Sequence, residues 1–122
     1  MSKCGDWIGY YNYGDGLVPH AMELSLSFSG SSLSGRGIDD VGRFTIGGTY
    51  SGDVCSWIKT YSSHSVQYTG YLDGGHIWGT WTLAWESGGF TIRPKPAREA
   101  KFEQVVAVER IAVLSGGKPG IR

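Results

Sequence analysis

Alternation of apolar and polar residues with a period of two is the feature that most restricts what this chain can become. In Met22-Glu23-Leu24-Ser25-Leu26-Ser27-Phe28 the even-numbered residues are apolar and the odd-numbered ones polar. A β-strand with one buried and one wet face produces this pattern, whereas a helix would scatter the same side chains around its circumference. The pattern returns at 43–50 with Phe44 and Ile46 inward, at 64–72 with Val66, Tyr68 and Leu72, and at 76–85 with Ile77, Trp81, Leu83 and Trp85. Shorter candidates at 6–13, 54–61 and 89–93 bring the set to about seven strands.

The links between these segments are short and polar: Tyr50-Ser51-Gly52-Asp53, Tyr61-Ser62-Ser63-His64, Leu72-Asp73-Gly74-Gly75 and Glu86-Ser87-Gly88-Gly89. Glycine there supplies the positive φ of tight hairpins. Strands so joined are antiparallel neighbours, because a parallel return needs a crossover of about a dozen residues or more. A meander over 43–94 follows. An open meander leaves two sheet edges to aggregate, and closure removes them. Glycines within strands (Gly47, Gly48, Gly70 and Gly79) favour strong coiling. The expected fold is therefore mainly β, a small antiparallel meander closed into a barrel of about seven or eight strands over 1–94. A two-sheet sandwich is the alternative, since it buries alternate residues in the same way.

Composition and charge both change near Pro94. Residues 1–90 carry four Lys or Arg against eight Asp or Glu, and residues 91–122 carry seven against three, so the two parts stand at −4 and +4. In the second part Pro96 and Gly116-Gly117 bracket a helix over 97–115. Val105-Val106-Ala107-Val108 and Ile111-Ala112-Val113-Leu114, apolar on both strand faces, also suit a closing strand. Either form is too apolar to stand alone, so 95–122 is expected as an extension packed on the barrel or on a second copy, giving a homodimer.

The stretch from Ser29 to Gly42 reads as a long Gly/Ser loop, a lid between two strands. It lacks the Gly-Lys-Ser/Thr ending of a phosphate loop and the third glycine of a dinucleotide loop. Its Asp39 and Asp40 suit the capping of backbone amides better than the alternating ligands of a calcium loop. His20, His64 and His76 show no metal-ligand spacing, and no Gly-x-Ser-x-Gly elbow is present. Cys4 and Cys55 are too few for a disulfide framework or a thiolate zinc site, and two free thiols are expected. No metal and no cofactor are expected.

Eleven Lys and Arg balance eleven Asp and Glu in the 122 residues. With an acidic body besides, nucleic acid is not an expected partner. No run of 18 apolar residues suggests a membrane span, and a cytoplasmic location is expected.

Aromatic residues are over-used, with 5 Trp, 7 Tyr and 4 Phe. Trp7, Tyr10, Trp57, Tyr68, Trp81 and Trp85 are expected in the core, and Trp78 on the opposite face. Twelve Trp and Tyr exceed what so small a core takes, so some should meet a ligand. The candidate ligand-binding residues are Trp57, Tyr68, Trp78 and Trp81, with Asp39 and Asp40. The reading is a non-catalytic barrel that holds a small apolar or aromatic ligand at its mouth. Two alternatives stand beside it. One is a homo-oligomeric interaction module joined through the basic C-terminal segment. The other is a small barrel hydrolase or isomerase drawing on Asp39, His64, His76 or Glu86.

The segments Val41-Gly42-Arg43-Phe44-Thr45-Ile46-Gly47-Gly48-Thr49-Tyr50, Ile77-Trp78-Gly79-Thr80-Trp81 and Gly89-Phe90-Thr91-Ile92 resemble the Gly-x-Trp and Gly-x-Phe hairpins of small calycin-like barrels, among them avidins and lipocalins. The resemblance concerns the architecture of residues 6–93 and carries no ligand residue across. It implies a barrel whose mouth admits a small molecule.

Overall fold

The computed structural model describes residues 4–14 and 18–96. Eight antiparallel strands run in chain order: β1 (Gly5–Tyr11), β2 (His20–Ser29), β3 (Ser32–Asp39), β4 (Arg43–Ser51), β5 (Val54–Thr60), β6 (Ser65–Asp73), β7 (His76–Leu83) and β8 (Glu86–Pro94). Each pairs with its sequence neighbour, and β8 returns to β1, with Trp7 opposite Pro94 and Tyr11 opposite Phe90, to close the barrel. The helix or closing strand expected over 97–115 lies outside the described residues.

Closure follows from what points inward. The inner faces bring Trp7, Leu24, Phe44, Trp57, Tyr68, Trp81, Phe90 and Ile92 into one buried cluster. Large rings fit because glycines sit opposite them. Gly48 pairs with Trp57 and Gly88 with Trp81, and a Cβ at either glycine would meet a backbone oxygen at about 2 Å. Trp57 stacks on Tyr68 at 5.4 Å, and Phe90 packs edge-on to both. Alternating large and small inward positions is how a narrow barrel fills its lumen.

The structure departs from the sequence reading in four places. The lid is absent, because most of 29–42 is β3, joined to β2 by a two-residue turn at Gly30-Ser31. The last hairpin turns at Ala84-Trp85, Ala84 taking φ 54°, so Glu86-Ser87-Gly88-Gly89 lies within β8. Trp85, expected inside, is thereby thrown onto the turn and is 95 % exposed. Tyr10 also faces outward, since its neighbours Trp7, Gly9 and Tyr11 hold the inward register of β1.

Candidate functional site

Eight strands in strict alternation give the barrel two unlike ends. One carries the turns after β2, β4 and β6, with His76. The other gathers Tyr11 and His20 at the ends of β1 and β2, Asp39 to Arg43, Thr60 to Ser65 and Leu83 to Glu86. Polar chemistry concentrates at this second end.

Lys59 is its centre. In β5 the inward positions are Cys55, Trp57 and Lys59, so the strand's register carries an ammonium into the lumen, where it is 1 % exposed. The same rule in β3 places Leu33, Gly35, Gly37 and then Asp39 inward, and the Asp39 side chain is fully buried. Lys59 Nζ lies 2.5 Å from Asp39 Oδ2. It also donates to Tyr68 Oη at 3.2 Å and to Met22 Sδ at 3.6 Å, so its three protons are placed. Tyr11, Phe44, Tyr61 and Tyr68 surround the ammonium, with ring centroids 4.4–5.2 Å away. Ring faces carry negative charge density and attract a cation, more so when it is desolvated.

The Asp39 carboxylate is equally occupied. Oδ1 accepts from the amides of Val41 and Gly42, turning the chain into β4, while Oδ2 accepts from Tyr61 Oη at 2.5 Å as well as from Lys59. The capping role expected of Asp39 is thus present, combined with an ion pair that the sequence reading did not foresee. Asp40 makes a second layer nearer solvent, accepting from Tyr11 Oη at 2.5 Å and lying 2.6 Å from His20 Nδ1. The His20 ring also stacks on Tyr11 at 5.0 Å.

The titrating groups shift accordingly. Burial pushes the Lys59 ammonium below the ordinary lysine value, and the Asp39 carboxylate opposes that shift. Tyr11 and Tyr61 are raised well above ordinary phenols, first by burial and then by donating to Asp40 and Asp39. Tyr68 is raised by burial and by the field of Asp39. For Asp40 burial acts upward, but the hydrogen bonds from Tyr11 and His20 outweigh it and hold the carboxyl below the usual aspartate value.

Above this network lies a hollow of about 40 Å³. Its walls are Tyr11, Tyr13, Tyr61, Tyr68 and Trp81, with His64, Val66 and Leu83, and Glu86 stands at its rim. Tyr13 packs edge-on to Trp81 at 5.4 Å, and Trp81 Nε1 donates to Asn12 O at 2.8 Å. The Asn12 side chain in turn accepts from Gly89 N, tying the β1 end to β8. Elsewhere on the surface a groove of about 260 Å³ runs over the outside of β1–β4, where Asp6 and Glu23 mix with Arg36, Arg43 and Lys95. That groove lacks the ring enclosure of the mouth.

The six expected ligand residues divide. Tyr68 and Trp81 line the hollow, and Asp39 and Asp40 lie beneath and beside it. Trp57 is sealed in the core, its indole N–H meeting no acceptor among the described residues. Trp78 is outside the barrel, 45 % exposed and paired with Tyr71 at 5.4 Å. The acid–base set divides as well, since His64 and Glu86 share the mouth while His76 sits at the opposite end. Sequence reasoning missed Lys59, Tyr11, Tyr61 and Tyr13. For Lys59 the signal was present, because Cys55-x-Trp57-x-Lys59-x-Tyr61 places a cation in the apolar register. Among the described residues no group of three His, Cys, Asp or Glu is placed to hold a metal ion. No described helix is long and apolar enough to cross a membrane. No family model, curated protein or solved structure matches the chain.

Proposed function

We propose that the protein is a non-catalytic binding barrel of calycin-like architecture, acting in the cytoplasm, that takes a small ligand at its mouth. The observation that carries this reading is the ring-lined hollow over a buried ion pair at one end of the barrel. A buried Lys–Asp pair is weak support for stability, because apolar residues of the same volume serve a core at least as well. Its placement beneath a hollow, among phenols shifted from their ordinary values, is what functional sites present. The small volume admits one end of a molecule, with the rest in solvent.

The test is an NMR titration with small aromatic and aliphatic solutes. Trp81 carries the reporter indole at the mouth and Trp78 the control on the outer wall. Saturable shifts at Trp81, absent from Trp78 and weakened in Tyr13→Ala, are the expected result. Shifts at both, or at neither, would remove the mouth from consideration.

A second reading, a homo-oligomer, draws on the outer wall. Val54, Tyr71, Trp78, Thr91 and Tyr10 form one continuous row across β5 to β8 and β1, and its four large residues are all exposed. The contrast of −4 and +4 between 1–90 and 91–122 would favour the basic segment of one copy on the body of another. Light scattering on the full chain and on Trp78→Ser separates the readings, since only this one requires an assembly that the substitution weakens.

A further inference from the structure

We infer that the group received by the mouth is a small organic cation, an alkylammonium head. This inference rests on the binding-barrel reading and narrows its ligand class.

Three observations support it. The first is the wall. Tyr11, Tyr13, Tyr61, Tyr68 and Trp81 offer ring surfaces around a space of about 40 Å³. At roughly 10–15 Å³ for each water-sized group, that space takes three or four heavy atoms. A flat aromatic ligand exceeds it, whereas a nitrogen bearing methyl groups matches it in size. Aromatic enclosures of this kind are the usual receptors for quaternary ammonium groups.

The second is charge. Asp39, Asp40 and Glu86 bring three carboxylates to this end, and Lys59 brings one ammonium. With the Arg43 guanidinium at the start of β4, these described side chains sum to −1. Lys59 itself illustrates the preference, since a cation is already held here among four rings and a carboxylate. Tyr13, at the edge of the hollow, reports the same field. Its phenol is raised first by burial and then by Asp40, Glu86 and Asp39.

The third is the commitment of donors. The hydroxyl protons of Tyr11 and Tyr61 go to Asp40 and Asp39, and the Lys59 protons to Asp39, Tyr68 and Met22. With those donors engaged, an anionic ligand would be left with the Tyr13 and Tyr68 hydroxyls and the His64 ring, against the carboxylates of Asp39, Asp40 and Glu86. A cation finds ring faces and the exposed Glu86 carboxylate.

The experiment compares choline with its uncharged isostere 3,3-dimethylbutan-1-ol on the full chain at neutral pH and low salt, followed at the Trp81 indole, with p-cresol as an aromatic probe. Choline is expected to saturate the mouth with at least tenfold higher affinity than the isostere. Adding salt should weaken it, and Glu86→Gln should lower its affinity several-fold. Glu86 is exposed at a strand end, so the far-UV spectrum of the variant should match that of the parent. Equal binding of choline and its isostere, or binding of p-cresol without choline, overturns the cation inference and leaves the mouth standing as a binding site. Failure of all three probes to shift Trp81 overturns the inference together with the reading beneath it.

Discussion

At the residue scale the molecule is organised around one buried ion pair. Lys59 and Asp39 are mutually necessary, because either alone would be an ion in a lumen of rings. Asp39→Asn removes the counter-ion of the ammonium and is expected to destabilise the fold by about 3–5 kcal/mol, read from urea unfolding. Combining Lys59→Met with Asp39→Asn removes the orphaned charge, and the one remaining side-chain oxygen accepts either from Tyr61 or from the Val41 and Gly42 amides. The double variant should recover most of that loss, and the cycle should return a large favourable coupling. Additive effects would show that the two side chains do not act as a pair.

The phenols around this pair make the fold sensitive to alkali. Tyr11, Tyr61 and Tyr68 have folded-state values raised above the unfolded value of about 10. A raised value means that the folded state keeps its proton longer. The associated stability is therefore complete below pH ~10 and lost as pH climbs beyond it. Tyrosinate absorbance should show the three buried phenols of Tyr11, Tyr61 and Tyr68 ionising only with unfolding. Ionisation of all tyrosines in one step while the barrel stays folded would contradict the burial of the network.

At the scale of elements, β3 shows how composition can mislead. Its Ser and Gly content has the look of a loop, yet the inward positions Leu33, Gly35, Gly37 and Asp39 keep strict alternation. Glycine is there for space. A Cβ at Gly37 would stand 2.2 Å from Glu23 O and 2.7 Å from the Phe44 ring. Gly37→Ala is therefore expected to cost about 1–3 kcal/mol or more, through overpacking against backbone. Gly47, on the neighbouring strand and facing outward, has nothing within 4 Å of its Cβ position. Gly47→Ala should be neutral within about 0.5 kcal/mol, or slightly stabilising because glycine is entropically costly in a strand. Thermal melts of the two variants side by side are the check, and equal effects would refute the register. Its inward residues after Leu33 are glycine and aspartate, and apolar Ile38 faces outward, so no apolar alternation marks this strand in the sequence.

At the scale of the whole molecule, closure is the decisive event. Seven hairpin ladders join sequence neighbours, and the eighth brings β1 to β8 across the length of the barrel, with Lys95 N donating to Asp6 O just beyond it. All eight ladders lie between Gly5 and Pro94. A chain ending at Pro96 is accordingly expected to keep the β-type far-UV spectrum and to unfold in a single cooperative transition. Loss of structure on truncation would show that later residues are needed to hold the ring shut.

Strand type and antiparallel order were determined by the sequence, because alternation and short Gly-bearing turns are local properties of the chain, whereas closure into a barrel rather than a two-sheet sandwich was decided by the pairing of β8 with β1. The inward placement of Trp81 and Tyr68 was legible for the same reason. Which side chains meet was decided only by the tertiary structure. Lys59 and Asp39 lie twenty residues apart in the chain, and strand register with barrel closure sets them 2.5 Å from each other. Tyr10 and Trp85 show the complementary limit. Both are expected in the core, and the closed barrel puts one on the outer wall and the other on an exposed turn. The mouth exists because four chain segments converge at one end, and that convergence is a property of the ring as a whole.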